Sequence, residues 1–315
     1  MTVHYDIQHL PVFDRALITI GTFDGVHKGH QQILELMKQE AEKVGGETVI
    51  ITFHPHPRKV IGSSSNTGSA KDTAAISLLN TLEEKISILS KSGIDHMVVM
   101  PFTKEFANQT AEAYISDFLV NTFHPHTIII GYDHHFGKER KGNYRLLEEK
   151  AADYNYRLLE IPKHVLDEIA ISSTKIRQAL LDSHIETANK LLGYDFFFKG
   201  VVVEGEKLGR QLGYPTANLK YTDYDKIHVG EGVYAVYAEI SGSIKKGMMS
   251  IGNRPTFNDT GEKVEVNLFD FNNDLYGQTV KVIAKKFLRG QEKYNSLEAL
   301  KAQIDLDKIA SLKIL

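Results

Sequence analysis

The chain has 315 residues, 42% of them hydrophobic and 24% charged, a balance typical of a globular protein large enough for two domains. Its formal net charge of −3 gives no electrostatic reason to expect a nucleic-acid or membrane partner. The lack of cysteine excludes disulfides and thiolate metal sites. There is no signal-peptide pattern and no long apolar run, so we expect a cytoplasmic protein without membrane spans.

The first half of the chain alternates between strand-like and helix-like patterns. Apolar runs predict strands at Ala16–Phe23, Thr48–Phe53, Met97–Phe102, Thr127–Tyr132 and Arg157–Ile161. Helical periodicity predicts helices at Gly29–Val44, Leu82–Ser92, Thr110–Thr122 and Tyr144–Tyr154. Strands joined by helices of this length favour an α/β module with a parallel sheet. A low-complexity stretch, Gly62–Lys71, is predicted to be a surface loop.

The second half changes to strands alone, followed by one helix. Runs of β-branched and aromatic residues predict strands at Phe196–Glu204, Val233–Ile240, Lys246–Ile251, Val264–Phe271 and Thr279–Phe287. Turn sequences at 241–242 and 272–274 indicate hairpins. A helix is predicted at Ser296–Ile309. We expect an all-β module here, with the boundary between the two modules near residues 184–195.

The strongest local motif is Gly21–His30, GTFDGVHKGH, at the end of one predicted strand and the start of a helix. Free backbone N–H groups and the positive end of the helix dipole suit such a junction to an anion. His27 and His30 can donate hydrogen bonds to phosphate oxygens, and Gly29 lets the backbone come close to a ligand. The alternative is a glycine-rich turn with two surface histidines.

A second polar segment, ISSTKIR at 171–177, opens another predicted helix. Ser172 or Ser173 is predicted to cap that helix, so that Thr174 and Arg177 face a nearby anion. The simpler alternative is a plain helix cap with a solvated arginine.

Other polar side chains of the first half carry weaker signals. Asp133 follows a predicted strand and is suited to bind a ribose, although a lone carboxylate also caps turns. A metal site is an alternative for four histidines, His54, His56, His134 and His135. We do not expect one, because the HxH pair has no carboxylate partner or supporting ligand shell.

In the second half, glycines and oxygen-bearing side chains follow the first predicted strand. Gly205 and Gly209 suit backbone contact with phosphates, and Arg210 is able to neutralise charge. Thr216 and Asn218 are two residues apart, so in an extended segment they point the same way. A hydroxyl and an amide oxygen are hard ligands that suit a Mg²⁺ carrying ATP phosphates. The alternatives are an ordinary turn and an exposed loop arginine.

Glu265, between Val264 and Val266 in a predicted strand, is the candidate general base of the second module. A carboxylate within hydrogen-bond reach of a primary alcohol can take its proton as a phosphoryl group arrives. Most strand glutamates are simply exposed, and that is the alternative.

Taken in order, these motifs resemble those of the bacterial bifunctional riboflavin kinase/FMN adenylyltransferase (FAD synthetase) family. The first half matches at Gly21–His30, Phe53–Pro57, Gly131–Gly137 and Ile171–Arg177. The second half matches at Gly205–Leu219, Gly232–Val236, Ile251–Phe257 and around Glu265. The resemblance covers roughly residues 12–305. This sequence departs from the family at His134, where an aromatic residue is usual, and at Gln291, where an acidic residue is common.

The resemblance implies a Rossmann-like nucleotidyltransferase domain at 1–184, a linker at 185–195, and a riboflavin kinase β-barrel with a C-terminal helix at 196–315. It implies that the second domain makes FMN from riboflavin and ATP, and that the first makes FAD from FMN and ATP with release of pyrophosphate. The expected cofactor is Mg²⁺ with ATP, and FMN and FAD are substrate and product. We expect a monomer or weak homo-oligomer without nucleic-acid or membrane partners.

The resemblance also implies roles for single residues. His27 and His30 would be catalytic in the first domain, and Glu265 would activate the ribityl 5′-hydroxyl in the second. The ATP site of the first domain would comprise Gly21, Thr22, Phe23, Gly29, Asp133, Ser173, Thr174 and Arg177. The ATP site of the kinase would comprise Gly205, Gly209, Arg210, Thr216 and Asn218, with the last two as ligands of Mg²⁺. Arg289 would contact the flavin.

Three alternatives remain for the whole chain. The first is an enzyme in which only one module is active. The second is another nucleotidyltransferase with an HxGH motif, which would leave Thr216, Asn218 and Glu265 unexplained. The third is a non-catalytic flavin-binding protein, which would not need these residues and both histidines together.

Overall fold

The computed structural model describes residues 1–62, 77–205, 209, 212–253 and 262–315, with the backbone alone at 62, 168–172, 253 and 262. The predicted surface loop at Gly62–Lys71 lies almost wholly outside the described residues. The chain divides into two compact units, Met1–Ser173 and Thr174–Leu315. Of the helices in these ranges, none is long and apolar enough to cross a membrane.

The first unit is built on a six-stranded sheet in which every neighbouring pair of strands is parallel. Its strands are β1 (Thr2–His4), β2 (Leu17–Ile20), β3 (Thr48–His54), β4 (His96–Pro101), β5 (Thr127–Ile130) and β6 (Arg157–Glu160). They lie in the order β1-β4-β3-β2-β5-β6. The chain steps outward from β2 to β4 and returns to the other side of β2 at β5. The carboxyl ends of β2 and β5 therefore flank the topological switch point, where open α/β sheets bind ligands.

Helices cover both faces of this sheet. They are α1 (Lys28–Val44), α2 (Pro57–Gly62), α3 (Leu82–Leu89), α4 (Lys104–Ala107), α5 (Ala111–Ala113), α6 (Asn121–Phe123), α7 (Tyr144–Tyr154) and α8 (Lys163–Leu181). Leu17 and Ile18, adjacent in β2, enter two different apolar cores because successive side chains point to opposite faces. The predicted α/β fold with a parallel, Rossmann-like sheet is confirmed.

The segment Thr110–Thr122, predicted as one α-helix, is more complex. A π-helical stretch, Tyr114–Val120, separates α5 from α6. The wider turn leaves four of its seven residues buried, Tyr114, Ile115, Phe118 and Leu119. The apolar period of the sequence does not reveal this change of helix type.

The start of α8 corrects a prediction. Ser172 and Ser173 were predicted to cap a helix, but α8 already begins at Lys163, directly after Pro162. The carbonyl of Pro162 accepts the N–H groups of Val165 and Leu166 in the first turn. Proline is favoured at helix starts because it has no N–H to leave unbonded. Both serines therefore lie inside the helix.

The second unit is a closed barrel in which all neighbouring strands are antiparallel. Its strands are β7 (Phe197–Val203), β8 (Thr216–Tyr221), β9 (Gly232–Ile240), β10 (Ser243–Asn253), β11 (Glu262–Leu268) and β12 (Thr279–Arg289). Their order is β10-β11-β8-β7-β12-β9. The predicted turn at Ser241 and Gly242 is present, with φ values of 48° and 80° that suit a two-residue hairpin loop. The predicted all-β barrel is confirmed. The hairpin predicted at 272–274 is wrong, because β11 pairs with β10 and β8 whereas β12 pairs with β7 and β9.

Two helices of eight residues or more accompany the barrel within the described residues. Helix α9 (Ile185–Leu192) occupies most of the stretch predicted as a linker, and the Asn189 side chain donates to the carbonyl of Ala284 in β12 at 2.9 Å. Helix α10 (Leu297–Ile314) is capped by Ser296, whose hydroxyl accepts the N–H of Ala299 at 3.1 Å. It runs past the predicted end at Ile309 and packs against β9, β10 and β12.

Candidate active sites

The loop from β2 to α1 carries the GTFDGVHKGH motif at the switch point of the first sheet. Its backbone is strained, because Phe23 and Val26 adopt φ values of 46° and 37°, which non-glycine residues seldom occupy. Gly25 has a φ of 89°, and a Cβ there would lie 2.7 Å from Leu79. Backbone strain of this kind persists where the surroundings hold the chain in one shape, and it concentrates at functional sites.

The two histidines of the motif stack at the start of α1. Their ring centroids are 4.0 Å apart, with an angle of 24° between the planes. His27 is fully buried, and its Nε2 lies 2.8 Å from the hydroxyl of Ser173 in α8. His27 is also the N-terminal flanking residue of α1, and the buried Gly29 lies in the first turn. The site thus joins open N–H groups of a long helix to two imidazoles.

His30 is buried, and this burial sets its charge. Desolvation lowers the pKa of His30 well below its usual value, and the positive charges of His27 and Lys85 lower it further. Phe23 covers the His30 ring with a centroid distance of 5.1 Å. His30 is therefore a neutral imidazole at pH 7, able to donate one hydrogen bond to a phosphate oxygen without bringing a charge of its own.

A buried lysine beneath the loop was missed by the sequence analysis. Lys85 in α3 is 6% exposed, and its Nζ donates to the carbonyl of Thr22 at 2.5 Å and to the hydroxyl of Thr52 at 3.3 Å. Burial lowers the pKa of Lys85 to about 8, although the nearby charge of Asp24 opposes this shift. The signal in the sequence is its place on the helix face shared with Leu82 and Leu89, where a charged residue is unusual.

The remaining predicted residues of the first domain lie at strand ends or in α8. Gly21 follows β2 directly, and its N–H donates to the carbonyl of Ile51 at 3.0 Å. Asp133 follows β5, the strand beside β2, and is exposed. Of the α8 residues, Ser173 reaches His27, whereas Thr174 is exposed and Arg177 half-buried within the second unit.

His134, the departure from the family pattern, is packed between aromatic rings and charges. Its ring lies 5.7 Å from that of Phe136, which in turn stacks on Tyr114 at 4.4 Å. Burial lowers the pKa of His134 to about 4, and the charges of His135 and Arg140 lower it further. A neutral imidazole thus fills a place in an aromatic cluster.

In the second unit, strand register assembles the candidate kinase site. Asn218 in β8 lies directly opposite Glu265 in β11, and Thr216 lies opposite Asn267. Residues opposite each other in a sheet point to the same face. Leu219, Val264 and Val266, which alternate with these residues, are buried on the other face. Thr216, Asn218 and Glu265 therefore share the outer face of the barrel.

Close backbone approach encloses the Thr216 and Asn218 side chains. A Cβ at Gly205 would lie 2.1 Å from the amide nitrogen of Asn218. A Cβ at Gly209 would lie 2.3 Å from the Tyr214 carbonyl and 3.4 Å from the Thr216 hydroxyl. Both predicted glycines thus lie where only glycine fits, against an amide oxygen and a hydroxyl that suit Mg²⁺ chemically. Arg210, the fifth predicted residue of this site, lies outside the described residues.

Glu265 is also paired with Ser250 in β10, the strand on the other side of β11. Gln291 donates from its Nε2 to the Ser250 hydroxyl at 2.9 Å and to the Ile251 carbonyl at 2.8 Å. A Cβ at Gly252 would lie 3.2 Å from the Gln291 amide. Gln291 is thus anchored to β10 beside the candidate base, and a carboxylate could not make the bond to the Ile251 carbonyl, which only accepts.

Arg289, at the end of β12, is held by α10. Its Nε lies 3.0 Å and its Nη2 2.8 Å from the carboxylate of Asp307, which is 5% exposed. Gln303 donates to the same carboxylate at 3.0 Å, and Nη1 of Arg289 donates to the Gly290 carbonyl at 3.0 Å. The guanidinium is therefore fixed in direction, and among the described residues its Nη1 and Nη2 each keep one N–H group for another acceptor.

Two family models match the chain, one on each half. The FAD synthetase model matches residues 11–175, and the riboflavin kinase model matches residues 192–315. Both domains are present, and nothing favours the alternative of a chain with one active module.

Named relatives match over nearly the whole length. The bifunctional riboflavin kinase/FMN adenylyltransferase of Bacillus subtilis (strain 168) is 34% identical over 95% of this chain and 92% of its own length. The protein of the same name from Escherichia coli (strain K12) is 34% identical over 94% of this chain and 91% of its own. A crystal structure described as a macrolide-efflux protein from Streptococcus pneumoniae has a TM-score of 0.83 and 29% identity, and covers 98% of both chains. That likeness concerns the fold, and the efflux in its description belongs to that protein. With an FAD synthetase domain followed by a riboflavin kinase domain, this enzyme belongs to the family of bifunctional riboflavin kinase/FMN adenylyltransferases.

Proposed function

We propose that the two domains divide the reactions named for this family between them. The first domain, residues 1–184, transfers AMP from ATP to FMN and gives FAD and pyrophosphate. The second domain, residues 196–315, transfers the γ-phosphoryl group of ATP to riboflavin and gives FMN and ADP. The observation that carries the proposal is the pairing of Asn218 with Glu265 on one face of a barrel. The same chain also sets two stacked histidines at a helix N-terminus.

In the adenylyl-transfer site, a phosphate oxygen of FMN attacks the α-phosphorus of ATP. The bond from that phosphorus to the β-phosphate oxygen breaks, and pyrophosphate leaves with its electrons. The nucleophile is already an anion, so the protein has only to position the groups and stabilise charge. His27, oriented by Ser173, and His30 donate N–H groups to the phosphate oxygens. The nucleotide and its triphosphate are bound by Gly21, Thr22, Phe23, Gly29, Asp133, Thr174 and Arg177.

In the kinase site, Glu265 accepts the proton of the ribityl 5′-hydroxyl as its oxygen attacks the γ-phosphorus and ADP leaves. Thr216 and Asn218 are the residues that would hold Mg²⁺ with the ATP phosphates, because their oxygens are hard neutral donors and the backbone at Gly205 passes close to Asn218. The ion would supply neutralisation of phosphate charge there. Gly209 and Arg210 complete the proposed phosphate site.

The flavin end of the kinase site is assigned to Arg289. The Asp307 carboxylate fixes the direction of its guanidinium, and the open N–H groups suit a flavin oxygen. We also propose a cytoplasmic monomer or weak homo-oligomer that binds riboflavin, FMN and ATP. Its net charge of −3 gives no electrostatic reason for a nucleic-acid partner.

A crossover experiment tests the division of labour. Purified protein is incubated with ATP, Mg²⁺ and either riboflavin or FMN, and the flavins are separated by chromatography. Glu265→Gln should lower FMN formation by a factor of roughly 10²–10⁴, because a general base contributes that much, and should leave FAD formation from supplied FMN intact. His30→Ala should do the reverse, with a loss on the order of 10²–10³.

The controls are the same substitution types at exposed positions, Glu298→Gln and His9→Ala, which should change neither rate. Circular dichroism and thermal melting check that all variants are folded. If Glu265→Gln and His30→Ala, both folded, each lose both activities, the two-site proposal is wrong.

A further inference from the structure

Lys85 is one of the buried ionisable residues that the proposed reaction does not use. It lies in α3, beneath the β2–α1 loop, and it donates to Thr22 after β2 and to Thr52 in β3. We propose that Lys85 is a positioning residue for adenylyl transfer, a fixed cation that holds the Thr22 carbonyl and, with it, the phosphate-binding loop. This inference rests on the proposed function of the first domain.

The hydrogen bonds fix one peptide group in the strained loop. The Thr22 carbonyl accepts from Nζ of Lys85 at 2.5 Å and from the Thr52 hydroxyl at 3.3 Å. The carbonyl belongs to the peptide plane that leads into Phe23, whose φ of 46° is unfavourable. The Phe23 ring rests against His30. By binding this carbonyl, Lys85 therefore stabilises the loop conformation that positions the imidazole of His30.

The charge also acts on the site directly. The titratable groups around Lys85 are Asp24, whose Oδ1 accepts the N–H groups of Leu79 and Asn80, and His30, on which His27 is stacked. Lys85 keeps the pKa of His30 low. At pH 7 His30 is neutral and Lys85 is charged. The site therefore presents a positive charge to an incoming triphosphate although His30 itself is not protonated.

A cation in this place is costly for the fold, which argues against a purely structural role. Burial lowers the pKa of Lys85 to about 8 because the charged form is poorly solvated. An apolar side chain of similar length would avoid that cost. Charged groups kept at a loss of stability are typical of functional sites. As pH rises through about 8, the ammonium loses its proton, and both the bond to Thr22 and the positive potential weaken.

The test compares Lys85→Met and Lys85→Arg with the unchanged enzyme in FAD formation from supplied FMN. At pH 7 we expect Lys85→Met to lower kcat/KM for ATP tenfold or more, and Lys85→Arg to retain more activity. The kcat/KM of the unchanged enzyme should decline with an apparent pKa near 8. That decline should be absent in both variants, because methionine does not titrate and arginine keeps its charge.

Three measurements separate positioning from folding. Riboflavin phosphorylation by the same samples should be unchanged, and the exposed control Lys91→Met should behave like the unchanged enzyme. The Tm of Lys85→Met at pH 7 should not fall, and NMR titration should show a raised pKa for His30. The inference is overturned if the unchanged enzyme makes FAD and Lys85→Met has the same kcat/KM and pH profile. It is also overturned if the loss of kcat/KM in Lys85→Met is explained by a lowered Tm. A parent enzyme that makes no FAD overturns the proposed function as well.

Discussion

The two proposed sites of this chain are built by opposite means. In the first domain, the two histidines belong to a ten-residue motif whose loop has two strained non-glycine positions, and both histidines are buried. In the second domain, Asn218 and Glu265 come from unstrained strands that are 47 positions apart in sequence, and both are half-buried. The first site therefore depends on the contacts that hold its loop in one conformation, and the second depends on the register of its strands.

This contrast predicts where each site is fragile. A loop site should respond to the loss of a single supporting contact, even from a residue that does not touch substrate. A register site should tolerate the loss of a contact at its edge, because the paired strands keep the side chains in place. It should lose activity when a new side chain blocks the close approach of a neighbouring backbone segment.

Apart from the substitutions of Glu265 and His30, the largest effect is expected from blocking the backbone approach in the barrel. In Gly205→Ala, the new Cβ would lie 2.1 Å from the Asn218 amide, so Asn218 has to move. We expect riboflavin phosphorylation to fall by a factor of about 10–100, mainly through KM for Mg-ATP, since misplacing a positioning group by an ångström costs about that much. Gly290→Ala, where a Cβ meets nothing within 4 Å, is the matched control. Equal effects in the two variants would contradict the enclosed site.

A smaller effect is expected from removing a supporting contact in the loop site. Ser173→Ala deletes the hydroxyl that lies 2.8 Å from Nε2 of His27. A lost hydrogen bond of about 1–1.5 kcal/mol predicts a fall in FAD formation of up to about tenfold, with phosphorylation of riboflavin unchanged. Steady-state kinetics with supplied FMN measures it, and the exposed Ser90→Ala provides the comparison. An unchanged kcat would show that His27 does not depend on α8.

The smallest effect is expected at the edge of the register site. Gln291→Leu removes the bonds to Ser250 and Ile251, but β10 stays paired with β9 and β11. Riboflavin phosphorylation should therefore fall only about threefold, because the strands still position Glu265. A fall as large as that of Gly205→Ala would mean that Gln291 positions the base and that register alone is insufficient. Gln39→Leu, at a surface of the first domain, is the control.

The sequence predicted most of the fold because the apolar patterns are strong. Helix α7, at Tyr144–Tyr154, has the predicted bounds, and the parallel sheet and barrel follow from the two contrasting patterns. It did not predict the π-helical turn at Tyr114–Val120, since hydrogen-bond registers within a helix are decided by packing. Nor did it predict that α8 begins at Lys163. Ser172 and Ser173 look like helix caps in the sequence, but they lie inside the continuous helix.

For the sites, motif residues could be predicted but their supports could not. His27 and His30 are conspicuous in the sequence, whereas the burial of Lys85 depends on a carbonyl 63 positions away. Glu83, Glu84 and Lys85 read as a solvated charged run until α3 is packed on the sheet. Likewise, the pairing of Gln291 with Ser250 spans 41 positions and follows from barrel closure.

The alternation along β8 and β11 has a consequence for folding errors. A slip of one residue in either strand would turn Asn218 or Glu265 into the barrel and bring Leu219 or Val264 out to water. The misfolded form would thus bury a carboxylate or an amide and lose its apolar core at once. A chain with this register error would therefore lose the proposed kinase site and much of its stability together, so the apolar face of the barrel also selects the register of the proposed site.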